Sequence, residues 1–211
     1  AKLKGQVKIS GSKNSSLPML AATLLSDKRI SLTNIPRVKD VETMIKLLES
    51  MGSKVKVLKN KNSLIIQNDK IIKAEASYDL MSTMRAGIIV LGPLLARFGK
   101  ARASIPGGCN LGFRPIDIHL EALKKMGVKY KLVDGYINAK AKNGLVGAKI
   151  KFPKISVGAT ENLMIAACLA KGQTVLSNCA IEPEIKDLSN FLCSIGAKIV
   201  WTGRRQVKII G

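Results

Sequence analysis

The residues best suited to chemistry stand at a few glycine- and serine-rich breaks in the chain. Pro106-Gly107-Gly108-Cys109-Asn110-Leu111-Gly112-Phe113-Arg114 places three glycines within six residues around a cysteine. A loop of this kind exposes its thiol to solvent, and Arg114 beside it would favour the thiolate. Cys109 is therefore a candidate nucleophile and proton carrier, although an incidental loop cysteine fits the same spacing. Ser10-Gly11-Ser12-Lys13-Asn14-Ser15-Ser16 leads into an apolar helical run, with Ser15 or Ser16 expected as N-cap and Pro18 in the first turn. Lys13 would oppose the positive end of the helix dipole there, which makes sense beside a bound anion. Arg85 repeats the arrangement after Ser82-Thr83. Lys154 stands just before Ser156-Val157-Gly158-Ala159-Thr160, a small-residue loop with exposed amides. Under threefold pseudo-symmetry the three helix starts would converge on one anionic ligand; plain surface cations beside ordinary loops fit the spacing as well. His119, alone two residues after Asp117, reads as a structural histidine.

The remaining inventory excludes several classes. Four cysteines far apart and one histidine in 211 residues offer no clustered metal ligands, so no metal is expected. Cys168 and Cys193 lie in apolar helical runs and read as small buried hydrophobes. The net charge of +21 comes from 35 Lys+Arg against 14 Asp+Glu, but only eight of the cations are Arg, and the Lys are dispersed without interleaved aromatics. That pattern describes a solvated surface better than a nucleic-acid interface. With 46% hydrophobic residues the chain can bury a real core, so disorder is not expected. The longest uncharged apolar stretch, Ala86 to Ala96, is 11 residues and contains Gly92 and Pro93, too short and too broken to span a bilayer. The N-terminus lacks the apolar core of a signal peptide, which makes the cytoplasm the expected compartment.

The elements that must position these residues recur three times. A β-like run (29–36, 103–106, 173–178) precedes an amphipathic helix (40–51, 117–126, 184–195) that ends in glycine and leads into another β-like run. Gly52, Gly127 and Gly196 are 75 and 69 residues apart and sit where a left-handed C-cap belongs. Val41, Met44, Ile45, Leu48 and Met51 in the first helix, and Ile185, Leu188, Leu192 and Ile195 in the third, have helical spacing. An earlier helix in each unit, 18–25, 84–97 with a kink at Pro93, and 161–170, is apolar on most sides and belongs at the centre. Each unit is close to β-α-β-α-β-β, and a hairpin of 198–201 and 206–210 closes the third.

Several stretches resemble one family in order along the whole chain: Lys4 through Asn14, Met84-Arg85-Ala86, Leu91 through Gly99, Pro106 through Cys109, Gly112, Arg114-Pro115, Asp117, Ser156 through Asn162, and Glu182 through Ile185. They are similar to the UDP-N-acetylglucosamine 1-carboxyvinyltransferases, enolpyruvyl transferases of bacterial peptidoglycan synthesis. The resemblance implies an α/β inside-out barrel of three β-α-β-α-β-β repeats. It implies transfer of the enolpyruvyl group from phosphoenolpyruvate to the 3-hydroxyl of UDP-N-acetylglucosamine, with no cofactor and no metal. Cys109 matches the loop thiol that donates a proton, forms a covalent adduct with phosphoenolpyruvate and is alkylated by fosfomycin. Lys13, Asn14 and Arg114 match phosphoenolpyruvate contacts. Arg85, Arg114, Pro115, Ile116, Asp117 and Ile118, with Lys154, Ile155, Ser156 and Val157, match contacts to the nucleotide sugar.

Some positions depart from that pattern. Asn110, Leu111 and Phe113 differ from the commoner loop residues, and Ile181 stands where the family usually has Arg. The family enzymes are about twice as long, and their general-base Asp and two further arginines lie in the other half. The chain is thus expected to be one domain: residues 1–12 a strand or linker towards the missing half, and 13–211 a barrel with repeats at 13–76, 77–150 and 151–211. The missing half is its expected partner, and no membrane or nucleic-acid partner is expected. A 3-phosphoshikimate-specific sister enzyme and a basic RNA-binding domain on the same fold are the alternatives; the Pro-Gly-Gly-Cys loop argues against the first.

Overall fold

The computed structural model describes residues 2, 4–58, 62–71, 73–105 and 116–211. Cys109, Arg114 and Pro115, with the departures at Asn110, Leu111 and Phe113, lie outside the described residues.

The first unit comprises α1 (Lys13–Ala22), a 3-10 turn at Thr23–Leu25, β1 (Ile30–Leu32), α2 (Lys39–Ser50), β2 (Lys54–Leu58) and β3 (Ser63–Gln67). The second comprises β4 (Glu75–Ala76), α3 (Tyr78–Met81), a 3-10 helix at Arg85–Val90, α4 (Leu91–Phe98), β5 (Lys100–Ser104), α5 (Asp117–Lys125), β6 (Lys129–Val133) and β7 (Tyr136–Lys140). The third comprises β8 (Lys149–Lys151), α6 (Val157–Ala167), β9 (Gln173–Ser177), α7 (Pro183–Ser194), β10 (Lys198–Gly203) and β11 (Gln206–Ile210). Each unit forms its own sheet, in the orders β1-β3-β2, β4-β5-β7-β6 and β8-β9-β11-β10. β4 and β8 run parallel to β5 and β9, and every other pairing is antiparallel. The second and third units therefore realise the β-α-β-α-β-β order. The first lacks the parallel strand: described residues between 4 and 12 form no strand and leave Val7 85% and Ile9 79% exposed. β4 and β8 pair forward in the chain, Glu75–Ala76 with β5 and Lys149–Lys151 with β9.

Helices occupy the centre and sheets the outside. Every residue of α6 from Ala159 to Ala167 is buried, as are Leu17, Leu20, Ala21 and Ala22 of α1 and Leu91, Leu94 and Leu95 of α4. A helix apolar all round needs neighbours all round, and α6 packs on α1, α4, α5 and α7. The outer helices bury one face only: Val41, Met44, Leu47 and Leu48 in α2, and Ile185, Leu188 and Leu192 in α7. Gly52, Gly127 and Gly196 take φ of 107°, 91° and 109°, a region that favours residues without a Cβ. Lys54, Lys56, Lys129, Lys131, Lys149, Lys151 and Lys198 alternate outward from the strands, which places much of the positive charge on the sheet exteriors.

Three local expectations are corrected. α1 begins at Lys13 with Ser12 as N-cap, not at Ser15 or Ser16, so Pro18 lies inside the helix and not in its first turn. The middle inner helix is not one continuous α-helix through 84–97; it changes from 3-10 to α between Val90 and Leu91, and Pro93 sits in the first α turn, where its missing N–H removes no bond. Cys193 is exposed, and Cys168, at the C-cap of α6, is partly buried against the core; among the described residues the fully buried cysteine is Cys179.

Candidate functional site

Two helix starts are built alike. Ser12 is extended and its Oγ accepts a hydrogen bond from the Ser15 amide at 3.3 Å, opening α1. Ser156 is likewise extended and accepts from the Ala159 amide at 3.3 Å, opening α6. Each cap occupies the third amide of its helix and leaves the first two, Lys13 and Asn14 in α1 and Val157 and Gly158 in α6, without intrahelical acceptors, the usual setting for an anion. Gly11 precedes α1 in contact with the Asn34 carbonyl, where any Cβ would collide with it.

Lys13, in the first turn of α1, pairs with Asp40 in the first turn of α2 at 2.8 Å. Both side chains are substantially solvated, 47% and 38% exposed, so the pair is worth no more than about 1 kcal/mol. It holds the ammonium at the helix start and yields readily to a stronger anion. Asn14 donates to Glu184 at 3.4 Å and Ser15 to Asp187 at 2.7 Å, fastening the start of α1 to α7. Arg85 opens the 3-10 helix that packs on α1 and α6, and it has no hydrogen bond or ion pair among the described residues. Lys154 and Ile155 are exposed just ahead of the Ser156 cap.

Of the two segments matched to the nucleotide sugar, Asp117-Ile118 borders a small cavity, and Lys154 to Val157 follow directly on the residues that form its other side. Ile116 caps α5, Asp117 and Ile118 open its first turn, and a cavity of about 100 Å³ lies between Asp117 and Ile118 on one side and Lys151, Phe152 and Pro153 at the exit of β8 on the other. Behind this cavity His119 lies against the first turn of α6, its Cε1 and Nε2 3.5 and 3.7 Å from where a Cβ on Gly158 would stand. Asn162 of α6 donates to His119 Nδ1 at 3.0 Å, and its Oδ1 accepts from the Gly92 amide at 2.8 Å. A Cβ at residue 92 would collide with Asn162 Oδ1 and with its carbonyl oxygen, so this crossing of α4 over α6 requires glycine. Burial pushes the His119 pKa down to about 4, against a smaller upward pull from Asp117.

Glu161, the neighbour of Asn162, is 4% exposed. Burial pushes its pKa up to about 8, with the charges of Glu184 and then Glu182 adding to the effect. Glu184 thus touches Asn14 of α1 and opposes Glu161 of α6, which brings the starts of α1, α6 and α7 together. Thr160 fixes the same corner, accepting from the Ala180 amide at 3.1 Å and donating to the Ser156 carbonyl at 2.8 Å. Burial pushes the thiols of Cys168 and Cys179 up to about 12, so neither is a nucleophile. No group of three or more His, Cys, Asp or Glu suited to a metal exists among the described residues.

Sequence reasoning named Lys13, Asn14, Arg85, Ile116, Asp117, Ile118 and Lys154 to Val157, and the fold collects them at the starts of helices in all three units. It gave no role to Asp40, Glu161, Asn162, Glu184 or Asp187. A carboxylate in the first turn of α2 was a readable signal for Asp40. Nothing local signals that Glu161 is buried among carboxylates 21 to 23 residues further along the chain.

Three sheets wrapped around central helices, with polar helix starts gathered at one region, define an enolpyruvyl-transferase barrel, and the chain belongs to the family of EPSP synthase (3-phosphoshikimate 1-carboxyvinyltransferase), which matches residues 1–211. Within that family its sequence is 68% identical over 211 residues to the UDP-N-acetylglucosamine 1-carboxyvinyltransferase of Pelagibacter ubique (strain HTCC1062), covering 100% of this chain and 50% of the relative. It is 50% identical over 210 residues to the enzyme of the same name from Trichlorobacter lovleyi, again covering 50% of the relative. The chain thus spans about half the length of the curated relatives it matches. The fold is that of the enolpyruvyl transferase NikO from Streptomyces tendae, with a TM-score of 0.84 at 21% identity over 98% of this chain and 48% of that one. EPSP synthase from Acinetobacter baumannii aligns with a TM-score of 0.77 at 16% identity, over 98% of this chain and 47% of that one. Among the described residues no helix is long and apolar enough to cross a membrane.

Proposed function

We propose that the chain forms one wall of a cytoplasmic UDP-N-acetylglucosamine 1-carboxyvinyltransferase, whose other wall is a second barrel of the same enzyme. The observation that carries this reading is the 68% identity to such an enzyme across the full 211 residues. The start of α1, with Lys13 and Asn14, suits the phosphate of phosphoenolpyruvate. The starts of α5 and α6, with Arg85 between the units, suit a nucleoside diphosphate sugar.

In this reading the Cys109 thiol gives its proton to C3 of phosphoenolpyruvate while the sugar's 3-hydroxyl oxygen adds to C2, and a base in the other half takes the hydroxyl proton. C3 of the tetrahedral adduct then loses a proton, the C2–O bond to phosphate breaks, and the double bond re-forms. Lys13 and Arg114 neutralise the departing phosphate. Phosphate release from both substrates tests the reading. The full-length protein carrying this sequence turns over with UDP-N-acetylglucosamine and not with shikimate 3-phosphate, whereas the 211-residue chain alone does not turn over. Turnover by the isolated chain, or preference for shikimate 3-phosphate, overturns it.

A further inference from the structure

The contacts of Asn162 force an orientation. A backbone N–H can only donate, so the Gly92 amide at 2.8 Å fixes Oδ1 of Asn162 as the acceptor. Nδ2 must then face His119 Nδ1 as a donor at 3.0 Å, and Nδ1 must present a lone pair. The neutral ring consequently carries its proton on Nε2. That N–H sits on a side chain only 7% exposed, against Gly158 in the first turn of α6, and has no acceptor among the described residues. The N–H groups of Val157 and Gly158 open the same helix and lack intrahelical acceptors by position.

We propose that Asn162 is a positioning residue which, oriented by the Gly92 amide, fixes His119 as the Nε2–H form and presents that donor with the Val157 and Gly158 amides to the pyrophosphate of a nucleoside diphosphate. The proposal rests on the reading of the α6 start as a nucleotide-sugar wall and adds the relay that sets its third donor. It also explains why glycine is needed at 92 and a small residue at 158: one lets the relay close, the other leaves room for the ring.

The single histidine of the chain makes nitrogen NMR of the imidazole a direct test. In the free 211-residue chain at neutral pH the ring shows a protonated Nε2 and a bare Nδ1; the opposite tautomer overturns the proposal. Adding UDP shifts the Val157 and Gly158 amides together with Nε2, and uridine leaves Nε2 unmoved. Amide shifts without an Nε2 shift overturn the relay while leaving the ligand assignment standing, and no shift anywhere overturns both. Asn162→Asp moves the ring proton to Nδ1 and weakens UDP about tenfold, the size expected for one hydrogen bond to a charged group. His119→Gln, whose amide nitrogen replaces Nε2, stays within about threefold of the parent, whereas His119→Phe loses about tenfold. Equal affinities for the Gln and Phe variants contradict a donor role.

Discussion

Glu161 and Asn162 are adjacent on α6 and both buried, yet they meet opposite surroundings. Asn162 faces α4 and α5 and has its amide satisfied on both sides, by Gly92 and by His119. Glu161 faces the start of α7, where Glu184 and Glu182 add to the cost of its charge, and its carboxyl has no hydrogen bond or ion pair among the described residues. Ile181, a neutral residue beside Glu182, supplies no compensating cation. One side of a single helix turn is therefore finished structure, while the other holds an acid that stays protonated at neutral pH. The contrast is local to this turn: elsewhere in the scaffold Ser53 Oγ, Asn68 Oδ1 and Thr174 Oγ1 are also buried without a partner among the described residues, but none of them carries a charge to suppress.

Glu161 and His119, the ring partner of Asn162, drive stability in opposite directions with pH, which is the strongest way to test the contrast. The Glu161 pKa is raised from 4.5 to about 8, so its contribution is complete below pH 4.5 and is lost as pH rises towards 8. The loss amounts to about 5 kcal/mol. Glu161→Gln removes that slope, and urea unfolding at pH 5 and pH 8.5 reads it as a stability difference that grows with pH. A pH-independent difference would mean that the carboxyl is ionised or solvated in the fold.

The His119 pKa is lowered from 6.5 to about 4, so stability is complete above pH 6.5 and falls as pH drops through that window, by about 3 kcal/mol. Between pH 4.5 and 6.5 the two slopes offset each other. His119→Phe carries a constant penalty for the unpaired Asn162 amide, but its difference from the parent shrinks on acidification. A difference that stays constant down to pH 4 would break the comparison.

The smallest effect is expected at the first helix start. Asp40→Asn removes the solvated partner of Lys13 and changes stability by less than about 1 kcal/mol, while freeing the ammonium for an incoming anion. Inorganic phosphate should then bind the variant more tightly than the parent, by calorimetry. Weaker binding would show that Asp40 orients Lys13 instead of competing for it.

Much of the architecture was legible from periodicity. The three glycines fixed the ends of α2, α5 and α7, and the evenly apolar runs located the central helices. What was hidden depended on tertiary partners. Pro18 pointed to a helix beginning near Ser15, because proline favours first turns, but the Ser12 cap and the burial of Leu17 and Leu20 outweigh it. The 3-10 stretch at Arg85–Val90 has no local signature distinguishing it from the apolar α run that follows. The candidate site was legible wherever a cation stood near a helix start. It was illegible for Asn162, whose partners Gly92 and His119 come from another unit.

The lysines on the sheet exteriors have a kinetic consequence. A chain with net charge +21 carries many of those charges on its periphery, while its centre holds apolar helices and the buried carboxyl of Glu161. Any small anion approaching from solution first meets an attractive field and only afterwards the helix starts proposed to orient it. That field fades over about 8 Å at physiological ionic strength. Added salt should therefore slow capture of an anionic ligand far more than it speeds its departure, so the surface governs arrival and the helix starts govern residence.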